Sequence, residues 1–430
     1  MGFTMKKILK GLAFLIILIL IGGCAPAKKE KVSLQLAIWG RPSEPQIQRI
    51  IKRFEKEHPG IKIKLISIPS AQYYQKLQTM IAGGTAPDVA WLAYDQIPIF
   101  ASKKVLVKLD PLIKKDNFKI EDYYPAVIDT LSYQGSIYGL ARDFTTFVLY
   151  YNKDMFDQAG LKYPDKSWDW DKFLAAAKRL TKDTNNDGRI DQFGFRPEPW
   201  FDSWAWWVWS NGGRILSEDR TKCEMDNPKT IEALQFVADL RNKYYVAPSI
   251  GEAKDLGASG ADMMQANQLA MYVNGRWVCE VLRENKELNF DVAEVPRGRG
   301  GRVTVLFTVA YVLLEGGKQR EEAWEFVKFA GGTKGQAISG DSLIGRGIPA
   351  VRKVAQSKTF LNPDVSPRNT KVFLEAADKY ARMLPVNPEF ARIYEVINPE
   401  LELVWLGKKR AKQACRKITR EVNEISSPGR

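Results

Sequence analysis

Carboxylates and tryptophans gather in one short stretch, "EPWFDSWAWWVWSNGG", which spans residues 198–213. Five of the twelve tryptophans lie there, from Trp200 to Trp209, beside Glu198 and Asp202. Flat aromatic rings pack against the apolar face of a ring-shaped ligand, and carboxylates accept strong hydrogen bonds from its polar rim. The stretch therefore indicates a wall that holds a ligand, with ordinary core as the alternative. A membrane insert is excluded, because the two carboxylates interrupt the stretch and no apolar run after Cys24 is long enough to cross a bilayer.

Paired carboxylates are the only candidate catalytic groups in the sequence. Two carboxylates about 5–10 Å apart can hydrolyse a glycoside. The candidates are Asp95, Asp143, Glu198 and Asp202. The single histidine, His58, lacks partners for a nucleophilic triad or a zinc site, and no GxxxxGK[ST] phosphate loop occurs. A protein that only binds uses the same carboxylates, so these residues leave catalysis and binding both open.

A second motif, "DTNNDGRID", has the spacing of a calcium-binding loop. Gly188 stands at the turn position, but Gly194 replaces the glutamate that closes such a loop, so another oxygen ligand must complete the shell. The spacing predicts a structural calcium ion, and a solvated turn rich in Asp and Asn is the alternative. The expected ligands are Asp183, Asn185, Asp187, the Arg189 carbonyl and Asp191.

The first 23 residues have the form of a secretory signal. Three lysines precede "GLAFLIILILIGG", an apolar run too short to span a bilayer comfortably. The following "IGGC" resembles a bacterial lipobox, which implies that Cys24 becomes a lipid-modified N terminus and that residues 24–31 form a tether. An ordinary signal peptide with an incidental cysteine is the alternative.

Size, charge and cysteine content narrow the class of the exported part. Single cores stop growing near 250–300 residues, so two lobes are expected. The net charge of +14 falls to +11 without the signal lysines, and no nucleic-acid-binding motif accompanies it. Cys223, Cys279 and Cys415 allow one disulfide at most. We expect a monomer without a nucleic-acid partner.

The hydrophobic pattern predicts an α/β fold. "VSLQLAIW" and "IKIKLISI" alternate as strands and flank a helix that begins near Ser43, whose spacing to Gln46 is that of a capping box. Strand, helix and strand in this order predict a largely parallel sheet. Further predicted elements are helices over 73–82, 169–180, 228–245 and 319–330, and strands over 269–277 and 303–315.

Six segments occur in an order that resembles the solute-binding proteins of bacterial carbohydrate ABC importers, the maltose-binding-protein-like family. They are "FEKEHPGIKIKL", "APDVAWLAYD", "YGLARDFTTFVLYYNKDMF", "SWDWDKFLAAAKRLT", "LAMYVNGRW" and "GRGIPAV". The resemblance implies two α/β lobes joined by several crossing segments around a ligand cleft. It divides the chain into one lobe of residues 32–142 plus 297–332 and another of residues 143–296 plus 333–430.

The resemblance also implies a function. A lipid-anchored receptor on the outer face of the cytoplasmic membrane would close on a carbohydrate, most simply an oligosaccharide, and deliver it to an ABC permease without catalysis or a cofactor. An extracellular glycosidase, or a surface receptor for another ligand without a permease, are the alternatives. Several arginines leave an anionic sugar open: Arg41, Arg142, Arg276 and Arg346.

By the same resemblance, "EPWFDSW" offers Glu198, Trp200 and Trp204 to the ligand, and "NGRW" offers Trp277 as a stacking surface. A helix that begins near Ser203 would put Trp204 and Trp207 on one side and leave other tryptophans in the core. In "WLAYDQ" the candidates are Tyr94 and Asp95. The family's neighbouring Trp and Arg are here Leu92 and Gln96, so the contacts of this subsite must differ.

The remaining candidates follow strands. Trp39, Arg41 and Glu44 come after the first strand, where ligands of α/β proteins bind, although Glu44 would also suit a helix N-terminus. Arg142 and Asp143 are predicted at the first crossing between lobes, where a hinge ion pair is the alternative. Arg346 in "IGRGIPA" completes the predicted set.

Overall fold

A computed structural model of the chain describes residues 31–255 and 259–425. The predicted signal, Cys24 and most of the tether lie outside these residues. Among the described helices, none has both the length and the apolarity needed to cross a membrane. The strands are β1 Val32–Trp39, β2 Ile61–Ile68, β3 Val89–Ala93, β4 Ser132–Tyr133, β5 Ser136–Ile137, β6 Gly139–Thr146, β7 Val148–Asn152, β8 Phe193–Phe195, β9 Leu269–Asn274, β10 Phe290–Ala293, β11 Thr304–Leu313 and β12 Ala381–Arg382.

Helices surround the sheets. They are α1 Pro45–Glu57, α2 Tyr73–Ala82, α3 Ile97–Ser102, α4 Asp110–Lys115, α5 Pro125–Thr130, α6 Lys153–Gln158, α7 Trp170–Leu180, α8 Phe201–Ser210, α9 Pro228–Asn242, α10 Ile250–Asp255, α11 Gly260–Gln265, α12 Val278–Leu282, α13 Arg320–Gly331, α14 Thr333–Ser339, α15 Arg352–Ala355, α16 Lys371–Lys379, α17 Phe390–Trp405 and α18 Ala411–Ile425.

The first sheet is mixed rather than mainly parallel. Strand β1 pairs in parallel with β2 and β3, as the βαβ pattern predicts. Strand β11 then inserts between β3 and β6 and runs antiparallel to both. Its two faces are buried against different cores, with Val309 and Tyr311 on one side and Ala310 and Val312 on the other. The strand predicted over residues 303–315 is therefore buried on both faces.

The second sheet has the order β10–β7–β9–β8. Its pairs are antiparallel except for β8 with β9, which is parallel. Successive side chains alternate between two cores, since Leu149 and Tyr151 enter one and Val148 and Tyr150 enter the other. Helices α7, α8, α9, α17 and α18 supply the first of these cores, so the second lobe carries the thicker helical layer.

One residue separates the two sheets where the chain first crosses. Strand β6 ends at Thr146 in the first sheet and β7 begins at Val148 in the second, so Phe147 forms the crossing. The predicted lobe boundary after Arg142 thus falls inside β6. Helix α14, predicted for the second lobe, packs against α1 and β6 of the first.

Local sequence signals explain several helix starts. Asp169 caps α7 through the backbone N–H of Lys172, and Asn227 caps α9 with Pro228 in its first turn. The predicted capping box at Ser43 is wrong. Helix α1 begins one residue later, with Glu44 at the cap position without a side-chain cap bond, because Pro45 fixes the first turn.

Candidate functional site

A cavity of about 710 Å³ opens between the two sheets. The first lobe contributes the carboxyl end of β1, the start of α1 and residues of α2, β3 and β6. The second lobe contributes Trp277 and α12. The cavity therefore lies where an α/β sheet presents its strand ends to a ligand. Of the predicted site residues, those that line it are Trp39, Arg41, Glu44, Arg142, Asp143, Trp277 and Arg346.

Aromatic rings form a connected surface on the first-lobe wall. Trp39 meets Tyr73, Tyr74 and Trp91 edge to face, with ring centroids 5.1, 6.3 and 5.5 Å apart. The Tyr73 hydroxyl donates to the Ala37 carbonyl and accepts from the Trp91 backbone N–H, which fixes α2 against the sheet. The rings are thus held in place before any ligand arrives.

Aromatic contacts continue into the second lobe. The Trp277 ring lies 5.5 Å from that of Phe307 and 5.7 Å from that of Phe147, the crossing residue. Phe147 in turn lies 5.5 Å from Trp200. Trp277 is half-buried, so it keeps surface free on the cavity side. Trp200 belongs to the same chain of rings but does not line the 710 Å³ cavity.

Arg142 and Asp143 form an ion pair and also line the cavity, so both interpretations of this pair from the sequence apply. Arg142 donates from Nε to Asp143 Oδ2 at 2.9 Å, and its guanidinium lies 4.3 Å from the centre of the Trp91 ring. Both residues also line the cavity. Gly347 packs so closely on Asp143 that an added Cβ would come within 2.5 Å of the Asp143 Cβ. The ion pair is therefore enclosed by backbone and ring.

Arg346 bridges the two lobes. Its Nη1 lies 2.8 Å from Glu44 Oε1 at the start of α1, and its Nε lies 3.0 Å from Glu280 Oε2 on α12. Neighbouring Arg276 is 1% exposed, and burial lowers the pKa of its guanidinium. From there Arg276 Nη1 donates to the carbonyls of Gly345 and Gly347, on both sides of Arg346.

Glu198 is occupied by contacts within its own lobe. Its Oε1 accepts from the Tyr272 hydroxyl at 3.0 Å and from the backbone N–H of Gly260 at 3.3 Å, and Arg196 Nε lies 3.7 Å away. These bonds hold the start of α11 against β9. Glu198 does not line the cavity, so its predicted contact with a ligand remains a prediction.

Tyr94 and Asp95 meet the second lobe at Asp202. The Tyr94 hydroxyl donates to Asp202 Oδ1 at 3.0 Å, and Gln96 donates to Asp95 Oδ2 at 2.8 Å. Burial, followed by the charge of Asp95, raises the pKa of Asp202 to about 7. Burial likewise raises the pKa of Asp95. Two carboxylates from different lobes thus share an environment that favours their neutral forms.

Trp204 lies in the core instead of the ligand wall. Helix α8 is buried along nearly its whole length, and Trp204 itself is 2% exposed and packs on Phe201 with ring centroids 4.4 Å apart. The rings of Trp207 and Trp206 are stacked, with their centroids 3.9 Å apart. The physical reason is the helix composition, because a helix that is apolar on all sides can only be stable when it is enclosed.

The calcium-like loop forms a network of its own hydrogen bonds. The backbone N–H groups of Asp187 and Gly188 donate to the Asp183 carboxylate, and Thr184 donates to Asp191. No group of three His, Cys, Asp or Glu side chains suited to a metal occurs among residues 31–255 and 259–425. Gly194 cannot become a closing carboxylate, since a Cβ there would lie 2.0 Å from the Ala177 carbonyl. Calcium binding stays a prediction.

Several cavity residues were missed by the sequence analysis. Tyr73 and Tyr74 begin α2 shortly after β2 ends, which is the same positional signal that identified Trp39. Phe307 lies in a continuously apolar strand, where no pattern tells which side faces a ligand. The missed lining residues that carry rings or charge are Tyr73, Tyr74, Trp91, Glu280, Glu284 and Phe307. The sequence allows one disulfide at most, and in the structure Cys223, Cys279 and Cys415 are buried and unpaired.

Comparison with known proteins gives one consistent result. Residues 41–337 match the family described as bacterial extracellular solute-binding protein. The galactooligosaccharide-binding protein of Bacillus subtilis is 25% identical over 414 residues, which cover 92% of this chain and 91% of that protein. The arabinooligosaccharide-binding protein of the same species is 26% identical over 357 residues, 77% of each chain.

A solved structure agrees over nearly the whole fold. An ABC substrate-binding protein from Listeria monocytogenes, in complex with cycloalternan, has a TM-score of 0.84 and 28% identity to this chain. The match covers 92% of this chain and 99% of that one. The α/β fold with two lobes, predicted from the sequence, is confirmed.

Proposed function

The chain belongs to the family of bacterial extracellular solute-binding proteins, and from that membership we propose that it captures an uncharged oligosaccharide between its lobes. The observation that carries the proposal is a cavity with aromatic walls on both sides. Trp39 and Tyr74 come from the first lobe and Trp277 from the second. Rings of this kind cover the apolar faces of sugars, and the charged groups between them suit hydroxyls.

The size of the cavity supports a ligand larger than a few atoms. About 710 Å³ lies well inside the roughly 300–1,000 Å³ range of small-molecule sites. Two relatives carry names that specify oligosaccharides, and the Listeria structure holds a cycloalternan. These names support an oligosaccharide for this chain without specifying its sugars.

Charge balance in the cavity supports an uncharged ligand. Arg142 is paired with Asp143, and Arg346 is paired with two glutamates. Of the described lining residues, the carboxylates outnumber the arginines: Glu44, Asp143, Glu280 and Glu284 against Arg41, Arg142 and Arg346. A uronate or sugar phosphate would have to break an existing ion pair or rely on Arg41, which lies at an exposed position. The anionic alternative is therefore the weaker proposal.

The mechanism that follows is closure on the ligand. A sugar that contacts Trp39 and Trp277 together binds the closed arrangement better than the open one, so it shifts the population toward closure. Phe147 is the single residue between β6 and β7, and such short crossings confine the motion to a hinge. Ion-paired side chains keep their geometry while the sugar hydroxyls bind, which favours one epimer over another.

The direct test uses the chain from Ala25 onward with a panel of neutral and acidic oligosaccharides. We expect saturable tryptophan quenching and a higher melting temperature for a neutral family of glycans, because a ligand that binds only the folded state stabilises it. The glycan should be recovered intact. Binding restricted to acidic glycans would contradict the uncharged class, and no response from folded protein would contradict carbohydrate binding.

Hydrolysis is the second candidate, and Asp95 with Asp202 is the observation behind it. A carboxyl with a pKa raised to about 7 beside a second carboxylate has the properties of an acid and base pair. The family favours binding, so we expect no product from any glycan that binds. Cleavage that is lost in Asp202→Asn while binding persists would establish a glycosidase.

We further propose that Cys24 carries a lipid and that the closed form delivers its ligand to an ABC permease. The sequence around Cys24 and the family membership support this arrangement. Radioactive palmitate should label the full chain, and Cys24→Ser should release it from membranes. Uptake of the bound glycan by cells should require a permease that co-purifies with the loaded receptor. Unlabelled protein, or uptake that is independent of this chain, would refute these two proposals.

A further inference from the structure

The described chain begins at the end of the first lobe opposite the cavity. Strand β1 runs from Val32 to Trp39, which lines the cavity, so about 23 Å of extended backbone separates the two. The Val32 backbone N–H donates to the Gly60 carbonyl at 2.9 Å, which fixes the start of β1 to the turn before β2. The segment that precedes Lys31 in the sequence therefore joins the first lobe on the side away from the cleft.

The loop after β11 closes the same end of the sheet. The Asp88 carboxylate accepts from the backbone N–H of Gln35 in β1 at 2.8 Å, and from those of Lys318 and Gln319 at 2.8 and 3.0 Å. Asp88 is 6% exposed, so these bonds are enclosed by the lobe. They hold the backbone of Lys318 beside β1.

The segment after α3 lies beside that loop. The backbone N–H of Glu315 donates to the Val105 carbonyl, and that of Val107 donates to the Leu313 carbonyl, both at 3.0 Å. Residue 31 and the exposed residues of 103–110 and 315–321 therefore share one end of the first lobe, here called the tether face. Its cationic side chains are Lys31, Lys103, Lys104, Lys108, Lys318 and Arg320.

The tether face has an excess of positive charge. Its six cations stand against three exposed carboxylates, those of Asp110, Glu315 and Glu321. Arg320 pairs with Glu315 at 2.5 Å, whereas none of the five lysines makes an ion pair with a residue that the structure describes. The ammonium groups of these lysines are therefore available to an anionic partner.

The length of the tether indicates what that partner is. Seven residues, 25–31, separate Cys24 from β1 and span at most about 25 Å when extended. Lys28 and Lys29 add positive charge to this segment. A lipid on Cys24, which is part of the proposed function, would keep the tether face within that distance of a bilayer. Contact between the face and the bilayer is then effectively intramolecular, so weak interactions are sufficient.

We propose that the tether face binds the anionic phospholipid surface of the membrane that anchors the chain. Lysine ammonium groups contact the lipid phosphates, and the first lobe lies between the bilayer and the second lobe. Because β1 leads away from this face, the cavity lies about 23 Å farther from the lipid and is reached from the solvent. Each lysine contributes little and salt screens it, so the contact is reversible.

Vesicle sedimentation of the chain from Ala25 onward tests the face without the lipid, and this chain contains every described residue. The probes are vesicles of phosphatidylcholine alone and vesicles in which one quarter is phosphatidylglycerol. Each lysine near an anionic surface strengthens binding about fivefold. We therefore expect binding to the anionic vesicles alone, and at least tenfold weaker binding when Lys103→Gln, Lys104→Gln and Lys318→Gln are combined. High salt should abolish the binding.

A matched variant removes the same charge from the second lobe. Lys408, Lys412 and Arg416 lie before and within α18, are exposed, and make no ion pair with a described residue. Their combined change to Gln should weaken vesicle binding less than twofold. Equal weakening by the two triple variants would mean that the overall charge binds the vesicles, and it would overturn the proposal. Absence of binding by the unaltered chain would overturn it as well.

Energy transfer to an acceptor lipid measures orientation in the full, lipid-modified chain. Donor dyes are placed at Lys108→Cys on the tether face or at Lys412→Cys on the second lobe, since the native cysteines of the described residues are buried. We expect several-fold stronger transfer from position 108. Equal transfer from both positions would overturn the orientation, and binding to dissolved polyphosphate but not to vesicles would replace the membrane by an anionic polymer. If Cys24 carries no lipid, sedimentation still decides whether the face binds a membrane.

Discussion

Two groups of tryptophans in this chain have opposite surroundings. Helix α8 carries four of them, and each is no more than 8% exposed in the core of the second lobe. Trp39 and Trp277, by contrast, are isolated in the sequence, half-buried, and line the cavity. In this chain a cluster of aromatic residues in the sequence indicates a buried core, whereas single aromatic residues near the ends of strands lie at the cavity. Four predictions test that contrast, from the largest expected effect to the smallest.

Removal of a ring from the buried group should damage the fold. Trp207 contacts Trp206, Trp170 and Phe173 with ring centroids 3.9–5.5 Å apart. We expect Trp207→Ala to lower the free energy of unfolding by about 3–5 kcal/mol, because it leaves a large cavity. Urea denaturation measures the loss. Protein that stays folded should keep the ligand affinity of the unaltered chain, and a loss below 1 kcal/mol would contradict the core assignment.

Removal of a ring from the cavity group should damage binding instead. Trp277→Ala should weaken sugar binding by about 1–3 kcal/mol, since one stacking surface is lost, while the melting temperature changes little. Calorimetric titration measures the affinity. Tyr245→Ala serves as the matched control, because Tyr245 is an aromatic side chain that is 69% exposed outside the cavity. If Trp277→Ala and Tyr245→Ala changed the sugar affinity equally, Trp277 would not be a binding residue.

Asp202 is the charged residue that α8 brings to the meeting of the lobes, and it makes the stability of that region depend on pH. Its pKa is about 7 in the folded chain and near 4 when unfolded, so between these values the folded state binds the extra proton. Stability from this group is therefore complete at low pH and is lost as the pH rises from about 4 to 7. Burial also raises the pKa of nearby Asp95, Tyr94 and Tyr394.

The measurement compares melting temperatures of the unaltered chain and Asp202→Asn from pH 5 to 8. We expect the unaltered chain to lose several degrees relative to the variant over this range, because the amide cannot ionise. Parallel curves would show that Asp202 ionises normally. Such a result would also remove the main observation behind a glycosidase.

Calcium should stabilise only the part of the second lobe that holds the buried tryptophans of α8, and its effect should be the smallest of the four. The calcium-like loop follows α7, whose Phe173 packs on Trp207, so metal binding would stabilise the second lobe without touching the cavity. We expect millimolar calcium to raise the melting temperature by a few degrees, and Asp187→Asn to abolish the change. Sugar affinity should not respond. Equal melting temperatures with calcium and with a chelator would leave the loop as a solvated turn.

Sequence reasoning located residues of the cavity where their place follows from position along a strand. Trp39 and Trp277 both come at or just after the end of a strand, and Arg142 with Asp143 lies next to the crossing between sheets. Such positions can be recognised without knowing how the lobes pack. The fold was accessible for the same reason, because alternation and helix caps are local.

Reasoning failed where the outcome depends on three-dimensional enclosure. Trp204 was expected at the ligand because "EPWFDSW" resembles a ligand-binding segment of the family, but the absence of a polar face on α8 was a stronger local signal of burial. Phe307 and Glu280 could not be assigned from sequence, since strand β11 is apolar on both sides and Glu280 reaches the cavity only through the packing of α12. The antiparallel position of β11 between β3 and β6 could not be predicted either, because it depends on pairing with strands that are distant in the sequence.

Strand β11 also determines when the first lobe can be completed during synthesis. It fills the place between β3 and β6, although some two hundred residues separate it from β3 in the chain. A nascent chain that ends before Thr304 leaves the edges of β3 and β6 unpaired, and pairing over such a distance is slow. Completion of the first lobe thus waits until most of the second lobe has been synthesised.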